Sequence, residues 1–363
     1  MRLKQLDVLR GIAIVLVLGR HLPYYEKYTG IGDWFFKLWE QVGWIGVDLF
    51  FVLSGFLVSG LLFKEYQSSG KINLRLFLIR RGFKIYPAYY LLILCTIVFY
   101  FFVLNHTLSA KVVWVQLLFL QNYSFLLWGH TWSLAVEEHF YFLIGLFLLI
   151  CSKKKLSDPF KVLTGAFFFV AIACLMMRLL NFFYGNGLYA HTTHLFPTHL
   201  RIDSLMFGVY LSYLHHFHFL KIKQFITSFK DKIIFISCLL ILPVLLFELE
   251  KTPFIYTFGL TMLYVGFGGM LMVFLYCVRL EGGIFDLLAK IGFNSYSIYI
   301  WHIPIVQWVV SPMVHFTGTG NFGLIFLMVL YLFLAVSLGI VMARLVEIPF
   351  LNYRDKAFSS LVN

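Results

Sequence analysis

Apolar runs of about twenty residues, the length a helix needs to cross hydrocarbon, recur along this whole chain and leave it little choice of fold. They lie at about 6–24, 43–63, 85–105, 132–151, 160–181, 199–217, 233–248, 254–278, 293–312 and 321–345. Of the 363 residues, 61% are hydrophobic and only 13% charged, whereas soluble domains average about a quarter charged. The expected fold is all-α: a polytopic membrane helix bundle of about ten transmembrane helices, forming a single domain over residues 1–363. No stretch is polar and long enough to be a second, soluble domain. No small-residue cleavage site follows the first run, so it reads as a retained helix rather than a signal peptide.

The net charge of +12 follows from orientation. With the N-terminus inside, one side collects Arg2, Lys4, Lys64, Lys71, Arg75, Arg80, Arg81, Lys84, Lys153, Lys154, Lys155, Lys161, Lys221, Lys223, Lys230, Lys232, Arg279, Lys290, Arg354 and Lys356. The other keeps Lys27, Lys37, Lys111 and Lys251. Twenty against four sets both termini in the cytoplasm, because basic residues are retained in cytoplasmic loops. Orientation therefore explains the basic excess, and no nucleic-acid partner is expected. The five cysteines, Cys95, Cys151, Cys174, Cys238 and Cys277, are too scattered for a disulfide framework. They are expected to pack as small hydrophobes, and without a Cys-x-x-Cys pair no metal site is expected. The segment 112–127 (VVWVQLLFLQNYSFLL) is apolar but carries Gln116, Gln121, Asn122 and Ser124. Counting it as a span would put Lys153–Lys155 outside, so an interfacial or re-entrant piece on the outer side is expected.

Within the spans stand groups that hydrocarbon disfavours, each costing a few kcal/mol or more. LRGIAIVLVLGRH, Leu9 to His21, holds Arg10, Arg20 and His21. Arg10 and His21 are eleven residues apart, within about 20° of three full helical turns and about 16 Å along the axis, so they share a face. Arg20 points about 100° away, toward a different partner. A structural salt bridge explains one buried cation, but less well a cation and an imidazole on one interior face. HTWSLAVEEHFYF sets Glu137 and Glu138 one to two turns inside another span. THLRIDSLMFG holds Arg201 and Asp203, SYSIYIWHIPI holds His302, and VEIPFLNYR holds Glu347. GWIGVDLFFVLSGFL holds Asp48, and Gly43, Gly46, Gly55 and the following Gly60 allow close helix approach in this region. So many polar groups imply an aqueous or substrate-filled interior. In RRGFKIYPAYY, Arg80, Arg81 and Lys84 precede a helix with Pro87 in its early turn. Two readings of that cluster stay open: an anchor to anionic lipid head groups, or a phosphate site with planar Arg forks and a Lys point charge.

Taken together, these stretches resemble the acyltransferase-3 family of integral-membrane O-acyltransferases. The matching pieces are LDVLRGIAIVLVLGRH, with the family's Arg-x10-His pattern, then GWIGVDLFFVLSGFL, RRGFKIYP, HTWSLAVEEHFYF, LRIDSLMFG, SYSIYIWHIPI and VEIPF, in family order over the full length. The resemblance implies transfer of an acyl group, acetyl by family habit, from cytoplasmic acyl-coenzyme A to a hydroxyl of a cell-envelope glycan or lipid-linked sugar. It implies a bacterial cytoplasmic (inner) membrane, with acyl-CoA as co-substrate, membrane lipids as surroundings and no tightly bound cofactor. It places functional positions on Arg10, His21, the Arg81/Lys84 pair and Glu137. His21 is then the expected general base, since imidazole titrates near neutrality, and an acyl-histidine is a lesser variant. Glu137 is expected to hold the imidazole tautomer or position the acceptor.

The donor phosphates are expected near Arg80, Arg81, Lys84 and Arg10. Asp48, Trp132, Ser133, Glu138, Arg201, Asp203, His302 and Glu347 are expected to line the acceptor side or the polar interior. Lys84 stands where the family often has arginine, and His139 where glutamine is common. Some relatives carry a periplasmic hydrolase-like domain after the last span. This chain ends about 18 residues past it, so it is expected to pass its acyl group on unaided or through a separate partner. Lipopolysaccharide O-antigen, a lipid-linked repeat unit, peptidoglycan and a small glycoside all remain open as acceptors. The rival reading is a transporter or glycan exporter, because intramembrane Asp, Glu and His also mark proton relays. The lack of an internal repeat counts against it.

Overall fold

A computed structural model of the protein describes residues 3–124, 126–154, 158–185, 189–318 and 320–358. Arg2 and Lys155, counted above among the basic residues, lie outside the described residues. Within the described residues the chain is helical, with no strand. The helices are α1 (Lys4–Arg20), α2 (Asp33–Gly43), α3 (Ile45–Ser69), α4 (Leu74–Phe102), α5 (Ala110–Leu117), α6 (Trp132–Ser152), α7 (Val162–Tyr184), α8 (His191–His194) and α9 (Ile202–Phe217). They continue as α10 (Phe219–Ser228), α11 (Lys230–Leu246), α12 (Leu260–Cys277), α13 (Gly283–Phe293), α14 (Ser295–Ile305), α15 (Ser311–Thr317), α16 (Asn321–Met342) and α17 (Ile348–Ala357). Wide π-type turns at Ile255–Gly259, Val306–Val310 and Ala343–Glu347 lead into α12, α15 and α17. Each is flanked by proline (Pro253, Pro304 with Pro312, Pro349), whose missing N–H interrupts the regular ladder.

Among the described residues, seven stretches are long and apolar enough to cross a membrane: Ile45–Ser69, Leu74–Phe102, Gly129–Ser152, Val162–Tyr184, Ile255–Cys277, Ser295–Thr317 and Asn321–Ala357. The remaining expected spans fall on α1, α9 and α11, helices of 17, 16 and 17 residues. At about 1.5 Å per residue these reach roughly 25 Å, short of the roughly 30 Å hydrocarbon core. Segment 112–127 forms no spanning helix: α5 has eight residues, and a short 3-10 turn follows at Gln121–Tyr123. Its polar groups explain this. The Gln121 amide donates to the Thr131 carbonyl (3.0 Å), and the Asn122 amide donates to Phe196 O (3.2 Å) and Thr198 Oγ1 (2.8 Å).

One expectation is corrected. The basic cluster does not precede its helix. The Asn73 side chain caps α4 by accepting from the Leu76 N–H (3.0 Å), so Arg80, Arg81 and Lys84 lie about two turns inside, and Pro87 sits in the helix interior.

The connections gather at two ends. At one, Lys4 Nζ meets Leu280 O (3.0 Å) and Asp286 (2.6 Å), Gln67 donates to His216 O (2.9 Å), and the Tyr213 hydroxyl donates to Asp158 (2.5 Å). Lys4, Lys64, Lys71, Lys153, Lys154 and Lys161 stand at or near the helix ends and connections that meet there, and it is termed the basic end. At the far end Arg20 pairs with Glu40 and Glu250, and the Tyr24 hydroxyl donates to Ser311 O (3.1 Å).

The helix carrying Arg10 lies at the centre. α1 packs against α2, α3, α13 and α14, with Val8, Ala13 and Ile14 fully buried. Glycines permit the closest approaches. A Cβ on Gly55 would stand 1.9 Å from Leu205 O, one on Gly208 2.2 Å from Val52 O, and one on Gly46 2.4 Å from Ala13 O. The α3–α9 and α3–α1 crossings are therefore backbone-to-backbone contacts that fix α3 on both sides.

Candidate active site

Many polar groups of the core line two chambers at different depths. The inner cavity, about 130 Å³, is lined by Arg10 from α1, Ser54 from α3, Arg81 and Lys84 from α4, Glu137 from α6, and Ser295 and Tyr296 from α14. The outer chamber, about 640 Å³, is lined by Arg20 and His21, Trp44 and Asp48, His130 and Trp132, and Arg201. Its rim is built by Glu26, His191 and Leu249 from far-end connections. Val47 and Tyr299 line both spaces.

On the inner side, the Glu137 carboxylate accepts from the Tyr141 hydroxyl (2.6 Å) and the Ser54 hydroxyl (3.2 Å). The Arg81 guanidinium stands over the Tyr141 ring (5.6 Å) and forms no ion pair among the described residues. Lys84 pairs with the buried Glu347, which also accepts from the Ser297 hydroxyl (3.0 Å). The wide turn before α17 carries Glu347 inward to meet it.

On the outer side, three imidazoles cluster. The His302 ring lies 5.2 Å from that of His21 and 5.0 Å from that of His130. His302 is fully buried and its Nδ1–H donates to Tyr299 O (2.7 Å). His130 Nε2–H donates to Ile300 O (3.2 Å). Beside them Arg201 Nη2 holds Asp48 Oδ1 (2.6 Å), both residues being 1% exposed. The Arg201 guanidinium covers the rings of Phe51 (5.6 Å) and Trp132 (5.7 Å), and Trp132 stacks on Phe196 (4.9 Å). Arg20 bridges Glu40 (2.5 Å) and Glu250 (3.0 Å) at the mouth, so it has a partner distinct from that of His21. His191, in a far-end connection, approaches Glu250 (3.4 Å), and burial pushes its pKa down.

This constellation coincides with a family match. The sequence profile of the acyltransferase-3 family (Acyl_transf_3, acyltransferase domain) matches residues 3–344. The chain belongs to the acyltransferase-3 family. A Staphylococcus aureus (strain COL) protein provisionally named an O-acetyltransferase is 30% identical over 98% of this chain and 58% of its own length. The peptidoglycan O-acetyltransferase OatA of Listeria monocytogenes is 27% identical over 96% of this chain and 56% of its own length. A Bacillus subtilis (strain 168) protein provisionally named a peptidoglycan O-acetyltransferase is 27% identical over 98% and 56%. The chain thus spans less than three-fifths of the length of these relatives. No solved structure gives a significant match.

Against the sequence expectations for this acyltransferase-3 chain, Arg10, Arg81, Lys84 and Glu137 come together in the inner cavity, and His21, Asp48, Trp132 and Arg201 in the outer one. Several expected groupings do not form. Glu137 lines the inner cavity and His21 the outer chamber, with Val47 and Tyr299 bordering both spaces. Arg80 lines neither chamber. Ser133 lines the inner cavity and meets the Tyr299 hydroxyl (2.6 Å), and Glu347 lies beside Lys84, so both belong to the polar interior on the inner side. Glu138 turns into an apolar groove of about 1280 Å³ between α4, α6 and residues 345–350, where it accepts from the Tyr86 hydroxyl (3.0 Å) and His139 is a neighbour. Asp203 is tied to Arg178 (2.7 Å), which also donates to Thr261 Oγ1 (2.8 Å), a buried cross-link outside both chambers.

Sequence reasoning missed Arg178, His130, Glu40 and Tyr299. Arg178 carried a usable signal, a lone arginine in the apolar run 160–181 that demands a carboxylate. The others look like ordinary loop or core residues until the helices are assembled.

Proposed function

We propose that the protein transfers an acyl group, acetyl in the first instance, from acyl-coenzyme A to a hydroxyl of a cell-envelope glycan. The observation carrying this reading is that three basic side chains and His21 occupy two chambers that meet at one layer of side chains. The chain crosses the membrane ten times, with α1, α9 and α11 as short spans and both termini in the cytoplasm. The basic end then meets the acyl-CoA pool. Phosphates dock near Arg81, with Arg10 deeper in the inner cavity. Guanidinium suits this task because its planar fork matches phosphate oxygens. Glu137, bonded to Ser54 and Tyr141, positions donor-side groups rather than the acceptor.

In the outer chamber the sugar hydroxyl attacks the thioester carbonyl. The C–O bond forms as the C–S bond breaks, His21 takes the hydroxyl proton, and that proton leaves with the coenzyme A thiolate. The His302 ring against His21 limits its rotation. Trp132 and the Asp48–Arg201 pair give the acceptor an aromatic wall and fixed polarity. The relatives named for peptidoglycan make a peptidoglycan-type amino sugar the first acceptor to test.

The test is His21→Gln, similar in size and still able to hydrogen-bond. At wild-type abundance it should abolish coenzyme A release while acyl-CoA binding persists. Near-normal turnover between pH 6 and 8 would remove His21 as the base.

A further inference from the structure

We infer that Val47 and Tyr299 are the septum of this bundle: the single layer of side chains that separates two aqueous chambers and so seals the membrane between them. The inference rests on the membrane-spanning reading above but on none of the acyl-transfer chemistry. Among the described residues, Val47 and Tyr299 alone line both chambers. The helices agree on the level. α1 supplies Arg10 below and Val17 above, α6 supplies Glu137 below and Trp132 above, and α14 supplies Tyr296 below and Ile303 above.

Tyr299 is the fixed half. Its hydroxyl is held at 2.6 Å by Ser133 Oγ and donates at 2.6 Å to His130 O. Its ring is packed by Phe50 (6.3 Å), His130 (5.5 Å) and His302 (5.6 Å). Moving it would break two buried hydrogen bonds and disturb the imidazole cluster. The main chain of Val47 is fixed too. Its neighbour Gly46 abuts Ala13 O, and Gly55 further along α3 abuts Leu205 O. What remains adjustable is the Val47 side chain, three carbons that rotate about one bond. A bilayer protein with polar spaces reaching toward both faces needs such a seal, since a gap larger than the about 30 Å³ share of one water lets water through. The septum also sorts the donor. A slender acyl-thioester end can pass between a valine and a phenol ring, whereas the charged phosphates stay with Arg81 and Lys84.

The test reads permeation, not acyl transfer. In sealed membrane vesicles of both orientations, a membrane-impermeant thiol reagent is applied and labelled peptides are identified by mass spectrometry. Ser54→Cys should react from the basic end only, Trp44→Cys from the far end only, and Val47→Cys from both. In proteoliposomes holding a trapped pH dye, Val47→Gly should raise proton leak several-fold over the wild type, and Val47→Leu should not. Labelling of Ser54→Cys equally from both faces, or a Val47→Gly protein as tight as wild type, overturns the septum. Vesicles showing one-sided labels with the sides exchanged would support the septum while reversing the orientation. Absence of coenzyme A release would overturn the acyl-transfer reading and leave the labelling result standing.

Discussion

Lys84 and Arg81 lie one helical turn apart, yet their electrostatic situations differ. Lys84 is committed to Glu347, a carboxylate only 2% exposed that also binds Ser297. Arg81 faces the inner cavity with an aromatic ring beneath it and no ion pair among the described residues. Removing one partner of a buried pair costs about 3–5 kcal/mol, because the other charge is stranded; the partial exposure of Lys84 places this pair near the lower end. Glu347→Gln is therefore expected to lower the thermal unfolding midpoint in detergent. Lys84→Met/Glu347→Gln should lose less than the two single changes added together. Strict additivity would show that the pair is not coupled. Arg81→Gln should instead leave the midpoint alone and raise the Michaelis constant for acyl-CoA about tenfold or more, the scale of one charge-assisted hydrogen bond, with the acceptor constant unchanged. Equal changes in both constants would favour a lipid anchor. The sequence made the cluster conspicuous because charges in hydrocarbon demand an explanation. It did not show which cation is held back, because Glu347 lies 263 positions from Lys84.

Among the elements, α3 bears the most weight, since it carries Asp48, Ser54 and Val47 and meets α1, α6, α9 and α12. Its register against α9 depends on Gly55 and Gly208, where an added methyl would meet carbonyl oxygens at 1.9 and 2.2 Å. Backbone cannot step aside as a side chain can, so Gly55→Ala and Gly208→Ala are each expected to cost about 1–3 kcal/mol or more through overpacking. They should shift the Asp48–Arg201 contact as well. Gly165→Ala, where nothing lies within 4 Å, serves as control and should be neutral or slightly stabilising. Unfolding midpoints of the three proteins decide it, and a Gly55→Ala protein as stable as the control would refute the close-packing argument. The positions of the long helices were readable from hydropathy, whereas the failure of 112–127 to span was readable only from its amides and from the side on which counting it would have put Lys153–Lys155. Helix starts were less so. The cap at Asn73 moved the beginning of α4 eleven residues ahead of the expected 85, because charged residues propagate a helix as well as apolar ones do. The septum was not readable at all: Val47 and Tyr299 have the composition of ordinary core, and only assembly of α1, α3, α6 and α14 reveals that spaces end on them.

For the whole molecule the governing feature is asymmetry. Lys64, Lys71, Lys153, Lys154 and Lys161 stand at or near helix ends on the side where Lys4 meets Asp286, whereas Glu40 and Glu250 pair with Arg20 at the other, with Glu248 lining the same space. If basic residues mark the cytoplasm, a reporter fused after Lys154 should report cytoplasm, and one inserted between Ala190 and His191 should report the outside. On the proposed reading, the same asymmetry gives the donor a side. Arg81 and Lys84 face the inner cavity, and the negatively charged coenzyme cannot cross hydrocarbon unaided. Inside-out membrane vesicles should therefore consume added acyl-CoA, right-side-out vesicles should not, and detergent should make the two alike. Acyl-CoA consumption by intact right-side-out vesicles at the inside-out rate would mean that donor and acceptor share the outer chamber, and the assignment of Arg81 to donor phosphate would then be wrong.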